Sequence, residues 1–371
     1  MTGFDKQAAL DFSTMEDRDL APFFAGRDDE IRRFDEALRN AKRGASVFRV
    51  YQGAPGCGKT SLLNRLMDIR SDVALFIDLG PDDFVSDAAL VGRVGREIGP
   101  PGDNGIVGFA TRTAARKPQY GAVVLYMDEA QVIAPSAEDG LRRLNTTGLG
   151  IPSVCLFVGL SHTQDRLREA GISRLSQDAV VNMGAMDKCE CAGSVKMLLD
   201  EFGAGGDDEA KEAASAAVAE YSHGWPQHLF SAQKALSGEL VRTNGSLSGV
   251  DWKRVREESD HRRYEYYAGR LSGAVLGSEP SVTAAIVAKA QEGPTTHSGL
   301  IKLCRRELER AGLLEDPDLA VAPTEFARMP IERGVLSIVP DSSSFAAGNR
   351  YAVAIPSLAE WISKSVSLKV E

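Results

Sequence analysis

The octapeptide GAPGCGKT, residues 53–60, decides how this chain is read. Its glycines Gly53, Gly56 and Gly58 let successive backbone N–H groups turn inward toward one anion, in a bend that a side chain would obstruct. Lys59 adds a charge that reaches the β- and γ-phosphates of a nucleotide, and Thr60 adds a hydroxyl for Mg²⁺. Such a loop requires a strand before it and a helix after it. SVFRVYQ (46–52) is rich in β-branched and aromatic residues, and Leu62, Leu63, Leu66 and Met67 recur at helical spacing behind the loop. The helix then points its positive end at the same place. The expected phosphate-binding set is Gly53, Ala54, Pro55, Gly56, Cys57, Gly58, Lys59, Thr60 and Ser61.

A phosphate loop calls for an acidic partner at the end of a second strand. AVVLYMDEAQ (122–131) supplies it. Asp128 closes the apolar run, placed to hold a metal ion with Thr60. Glu129 follows, where a carboxylate can orient and deprotonate an attacking water. VALFIDL (73–79), SVCLFVGL (153–160) and AVVNMGAM (179–186) read as further strands between helical segments. That alternation predicts an α/β P-loop NTPase fold: an αβα sandwich on a parallel sheet, with ligands at the strands' carboxyl ends.

Over about residues 22–240 these segments resemble the AAA+ superfamily, in the branch near the Orc/Cdc6-like initiators and STAND-type switch ATPases. PFFAGRDDEIRRFDEAL (22–38) is similar to the family's entry motif, so the resemblance places Gly26, Arg27 and Asp28 beside an adenine. Asp28 and Asp29 also suit a helix N-terminus. The resemblance makes Ser161, with His162 as rival, a first sensor of the γ-phosphate. It makes Arg174 a finger aimed at a neighbouring subunit's nucleotide. SHGWPQHLFSAQKAL (222–236) resembles the second-sensor helix, with Pro226 in its first turn. Many family members place an arginine there, whereas this chain has Gln227 and His228. Gly-Trp-Pro resembles the Gly-x-Pro of STAND ATPases, which implies slow, switch-like turnover.

The expected organisation is an acidic N-terminal tail (1–21), a P-loop domain (22–187), a helical lid (188–245), and a linker helix with a winged-helix domain (246–371). In DEAKEAASAAVAEYSHG (208–224), Ala210, Ala213, Ala214, Ala217, Val218 and Tyr221 suggest one packing face. Tyr264, Tyr267, Ala268 and Leu271 suggest another on the linker helix. Three helices follow, ending at the Gly312 cap and at PTEFARMPIERG, then two strands around a long tip. LAVA (319–322) reads as a short extended piece. From Leu271 to Glu371 the chain carries 10 Lys and Arg against 12 Asp and Glu. A duplex grip neutralises several phosphates, so this balance sets protein partners ahead of DNA, with Arg328 and Arg333 the candidate DNA contacts.

Composition excludes other classes. A net charge of −9 argues against a generally basic surface. The start is polar and acidic, unlike a secretory or transit segment, and no apolar run approaches the roughly 18 residues of a membrane span. Five cysteines form no even framework, and the five histidines lack metal-ligand spacing, so a reducing cytoplasm is the expected setting. Cys189 and Cys191 read as packing residues. The resemblance implies an ATP-binding, ATP-hydrolysing switch that uses Mg²⁺, forms homo-oligomers and acts on a protein partner. The alternative is an Orc/Cdc6-like or transposition-regulator ATPase that engages DNA through its winged helix.

Overall fold

The computed structural model describes residues 3–15, 24–43, 46–98, 121–133, 152–172, 175–275, 280–314, 323–339, 349–362 and 364. In chain order the first helices and strands are α1 (Lys6–Thr14), α2 (Asp28–Lys42), β1 (Ser46–Gly53), α3 (Lys59–Arg70), β2 (Ala74–Asp78), α4 (Asp87–Ile98) and β3 (Ala122–Met127). Next come β4 (Ser153–Gly159), α5 (Thr163–Glu169), β5 (Val180–Met183), α6 (Lys188–Glu201), α7 (Asp208–Ser222), α8 (Pro226–Arg242) and α9 (Trp252–Val275). The last are α10 (Pro280–Glu292), β6 (Thr295–Thr296), α11 (His297–Arg310), α12 (Pro323–Glu332), β7 (Leu336–Val339) and β8 (Arg350–Val353). They form two compact units, one of residues 27–53 and 59–183, the other of residues 1–26, 54–58 and 184–371.

The first unit is built on a five-stranded sheet in the order β2-β3-β4-β1-β5. Every pairing is parallel; Leu125 faces Cys155, Gln52 faces Gly159, and Gln52 also faces Asn182. All seven residues of β4 are buried, as a central strand covered on both faces requires. Val50, Ile77, Leu125, Phe157 and Leu167 belong to one apolar core. The crossovers bring the carboxyl ends of β1, β3 and β4 side by side, which is where such sheets hold ligands.

The second unit contains α1, α6 to α8, the long α9 and a C-terminal module. Within the segment expected to be an acidic tail, α1 is a docked helix. Asp5 caps it by accepting from Ala8 N at 2.9 Å. Its Phe12 is buried edge-on against Phe202 and Phe230, at 5.8 and 5.6 Å between ring centroids.

Two expected packing faces are rotated. On α7 the buried residues are Ala214, Ser215, Val218, Ala219 and Ser222, while Ala213 is exposed. Alanine and serine both fit close helix contacts, so polarity alone misplaces the stripe. On α9 the buried line runs Val255, Ser259, Arg263 and Tyr267, and Ala268 is exposed.

Helices α10, α11 and α12 with an antiparallel sheet in the order β6-β8-β7 make the winged helix. Val282, Ile286, Leu300, Cys304, Phe326 and Leu336 share its core. Gly312 takes φ +71° just after α11, and Leu313 N–H closes the helix onto Leu308 O at 3.0 Å. The two-residue β6 adds a third strand to the expected pair. LAVA and the wing tip lie outside the described residues.

Candidate functional site

At the end of β1, Gln52 is buried with both ends of its amide engaged. Its Nε2 donates to Asn182 Oδ1 at 3.0 Å, and its Oε1 accepts from Gln164 N at 3.0 Å. One side chain thereby ties β1 to β5 and to the first turn of α5, at the residue just before the glycine loop. The loop begins with Gly53, whose carbonyl accepts from Lys59 Nζ at 3.0 Å. Thr60 and Ser61 open helix α3, which anchors itself through buried Leu62, Leu63 and Leu66.

β3 delivers the acidic pair. Thr60 Oγ1 donates to Asp128 Oδ2 at 2.7 Å, and Glu129 N–H donates to Asp128 Oδ1 at 2.9 Å, so both carboxylate oxygens are held. Thr60 and Glu129 are exposed and Asp128 is half-buried. A hydroxyl and a carboxylate oxygen this close form the hard-oxygen donor set that suits Mg²⁺ rather than a softer metal. Burial raises Asp78, at the end of β2, above the usual carboxylate range; Arg93 opposes the shift and Asp128 adds to it. Arg27 stands in the left-handed region at φ 65°, buried, its guanidinium paired with Glu30 at 3.1 Å.

Glu129 also stands in the left-handed region, at φ 53°, ahead of a single 3₁₀ turn. The turn brings Gln131 back onto it: Gln131 Nε2 donates to Glu129 Oε2 at 2.5 Å. The same amide's Oε1 accepts from Leu160 N at 3.0 Å, past the end of β4. Ser161, the expected sensor, follows and is buried. Gln131 and Gln52 were not anticipated as site residues. Gln52 lies at the end of β1 and Gln131 sits in the turn after β3; the partners Asn182 and Gln164 of the one, and Leu160 of the other, are remote in sequence, so no local pattern announces them.

In the second unit, loop residues 54–58 pack on the start of α8. Gly56 and Gly58 hold φ +76° and +88°. A Cβ on Gly56 would lie 2.9 Å from Gln227 Cβ and 3.0 Å from Trp225 Nε1. Gln227 N–H donates to Gly56 O at 3.1 Å, and Pro226 occupies the first turn of α8 as expected. One residue on, buried His228 shares a 2.7 Å hydrogen bond with Tyr267 Oη, which donates to Pro356 O at 2.7 Å. Burial, with Arg263 adding to it, pushes His228 down to about 3, so its ring is neutral.

Other expectations fall elsewhere. Arg174 lies outside the described residues. Cys191 is buried, whereas Cys189 is exposed at the start of α6, where it faces no core. Among the described residues no cluster of His, Cys, Asp and Glu has a metal-site arrangement, and no helix is long and apolar enough to cross a membrane.

A glycine loop between β1 and α3, with an Asp–Glu pair on a strand separated from β1 by β4, defines the fold as a P-loop NTPase of the AAA+ kind with a C-terminal winged helix. The Walker-type ATPase PABY2304 of Pyrococcus abyssi has a similar fold: 15% identity over 91% of this chain and 95% of that one, with a TM-score of 0.57. Cdc6p from Pyrobaculum aerophilum matches at 17% identity over 100% of both chains, with a TM-score of 0.44. The Thermotoga maritima RuvB Holliday junction branch migration motor matches at 15% identity over 97% of this chain and 99% of its own, with a TM-score of 0.43. No protein-family model matches the sequence, and no curated protein is similar to it.

Proposed function

We propose that this chain binds ATP with Mg²⁺ and hydrolyses it slowly, as a switch whose nucleotide state governs self-assembly or engagement of a protein partner. The observation that carries the reading is the Thr60–Asp128 contact of 2.7 Å beside Lys59. The backbone amides of residues 53–60 cradle the phosphates, and Lys59 exchanges Gly53 O for the β- and γ-oxygens. Thr60 Oγ1 and Asp128 hold the ion and its water shell. Bound Mg²⁺ supplies charge withdrawal from the phosphate oxygens as the terminal P–O bond breaks. Glu129 orients a water molecule, takes its proton as the oxygen bonds to the γ-phosphorus, and later releases it. Arg27 borders the adenine, Ser161 reports the γ-phosphate, and Arg174 of a neighbouring copy completes the charge stabilisation.

Support for a switch comes from α8. Its Gln227 N–H holds Gly56 O at 3.1 Å, while the adjacent His228 reaches Tyr267 and through it Pro356, beside the winged helix. A shift in the loop on phosphate binding therefore has a packed route to the C-terminal module. The absence of an arginine at Gln227 and His228 fits timing rather than rapid cycling. The test is steady-state ATPase activity of wild type and Glu129→Gln, with light scattering in ATP. The proposal expects the variant to lose turnover and accumulate an ATP-dependent oligomer; equal rates would refute hydrolysis.

A further inference from the structure

We infer that Gln131 is a positioning residue that sets the Glu129 carboxylate from the end of β4. The inference rests on the hydrolytic reading of Glu129 and adds a part that neither phosphate loop nor acidic pair contains. The Gln131 amide cannot be reversed, because Leu160 N–H can only donate and so fixes Oε1 as its partner, at 3.0 Å. Nε2 is thereby turned outward, where it donates to Glu129 Oε2 at 2.5 Å. A bond from an amide to a carboxylate is among the stronger hydrogen bonds, and it fixes the direction in which the Glu129 carboxylate points.

Two backbone features exist to make the contact. Glu129 adopts φ 53°, a conformation disfavoured for a residue with a side chain, and the 3₁₀ turn it starts folds Gln131 back beside it. Gly159 makes room on the opposite side. A Cβ there would stand 2.4 Å from Thr163 Oγ1, 2.5 Å from Gln131 Oε1 and 3.2 Å from Ala130 N, so a larger residue would displace both side chains. Glycine at the end of β4 thus leaves space for both the Gln131 amide and the Thr163 hydroxyl. Leu160, which holds the amide, is followed directly by Ser161, the candidate γ-phosphate sensor. A displacement of Ser161 by the terminal phosphate is passed to Leu160 N, through a rigid amide, and onto the carboxylate that activates water. Gln131 touches no reacting atom itself; it acts through Glu129.

The experiment measures kcat, KM and fluorescent-ATP affinity for wild type, Gln131→Leu and Gln131→Glu, each alone and combined with Glu129→Gln. Gln131→Glu keeps the acceptor for Leu160 N–H and the shape of the side chain but removes the donor, so it covers the case in which Gln131→Leu does not fold. Both single variants should lower kcat about 10- to 100-fold with KM and affinity unchanged, the cost of a misplaced catalytic group. In the Glu129→Gln background the same changes should alter the residual rate by less than about twofold. Single variants with kcat near wild type, or losses that multiply fully with Glu129→Gln, overturn the inference while hydrolysis by Glu129 stands. A wild-type chain that does not turn over ATP overturns the functional reading instead, and this inference with it.

Discussion

Thr60 and Asp128, 68 residues apart in the sequence, meet through a 2.7 Å hydrogen bond from hydroxyl to carboxylate. No local structure demands this contact; it exists because β1 and β3 deliver their carboxyl ends to the same edge of the sheet. A metal ion held by both residues makes nucleotide affinity magnesium-dependent. Thr60→Ala or Asp128→Asn should weaken ATP binding about tenfold or more in Mg²⁺, the value of one hydrogen bond to a charged group. In excess chelator the variants and wild type should bind alike. Titration with a fluorescent ATP analogue under both conditions checks this.

The two glycines Gly56 and Gly92 should respond oppositely to alanine. Gly56 has φ +76° and neighbours at 2.9 and 3.0 Å from a Cβ, whereas a Cβ on Gly92, within α4, meets nothing within 4 Å. Gly56→Ala should destabilise the chain by about 1–3 kcal/mol and abolish nucleotide binding. Gly92→Ala should stabilise it by about 0.5–1 kcal/mol, since it removes backbone entropy from a helix. Urea unfolding of the two variants gives both values.

His228 makes a pH prediction with a definite sign. Its folded form is held near 3, well below its ordinary 6.5, so below pH 6.5 the unfolded chain binds a proton that the folded chain refuses. Its contribution is therefore intact above pH 6.5 and is lost as pH falls toward about 3, at up to about 1.4 kcal/mol per pH unit. Wild type should lose about that much more stability between pH 6 and pH 5 than His228→Gln, in which nothing titrates. Urea midpoints at the two pH values decide it.

Much of this was legible in the sequence wherever backbone geometry dictates residue type. A phosphate loop needs glycine at positive φ, and Gly56 and Gly58 have it; the acid expected after the apolar strand β3 stands within hydrogen-bond reach of Thr60. Packing faces were harder to read. On α7, serines 215 and 222 are buried while Ala213 is exposed, because in a tight contact side-chain volume outweighs polarity. Helix α1 was hidden among charges, its docking carried largely by Phe12. Gln131 was invisible because its second partner, Leu160, is 29 residues away.

On the protein-partner reading, the winged helix does not grip a duplex through Arg328 and Arg333. Arg328 on α12 is paired with Glu332 at 3.1 Å, and exposed Arg333 follows just beyond the helix. A short duplex at physiological salt should bind no tighter than the nonspecific range of about 10⁻⁴–10⁻⁶ M, and Arg328→Ala with Arg333→Ala should leave that value unchanged. Tight, steeply salt-dependent binding lost in the double variant would instead favour a DNA-directed role. Fluorescence anisotropy across a salt series distinguishes the two.

The central claim is that Lys59, Thr60 and Asp128 together grip a magnesium nucleotide. Isothermal titration calorimetry of the full chain with ATP and Mg²⁺, alongside Lys59→Ala, tests it most directly. Wild type should show saturable one-site binding and the variant none at the same concentrations. No heat of binding with wild type, or equal affinity in the variant, would contradict it.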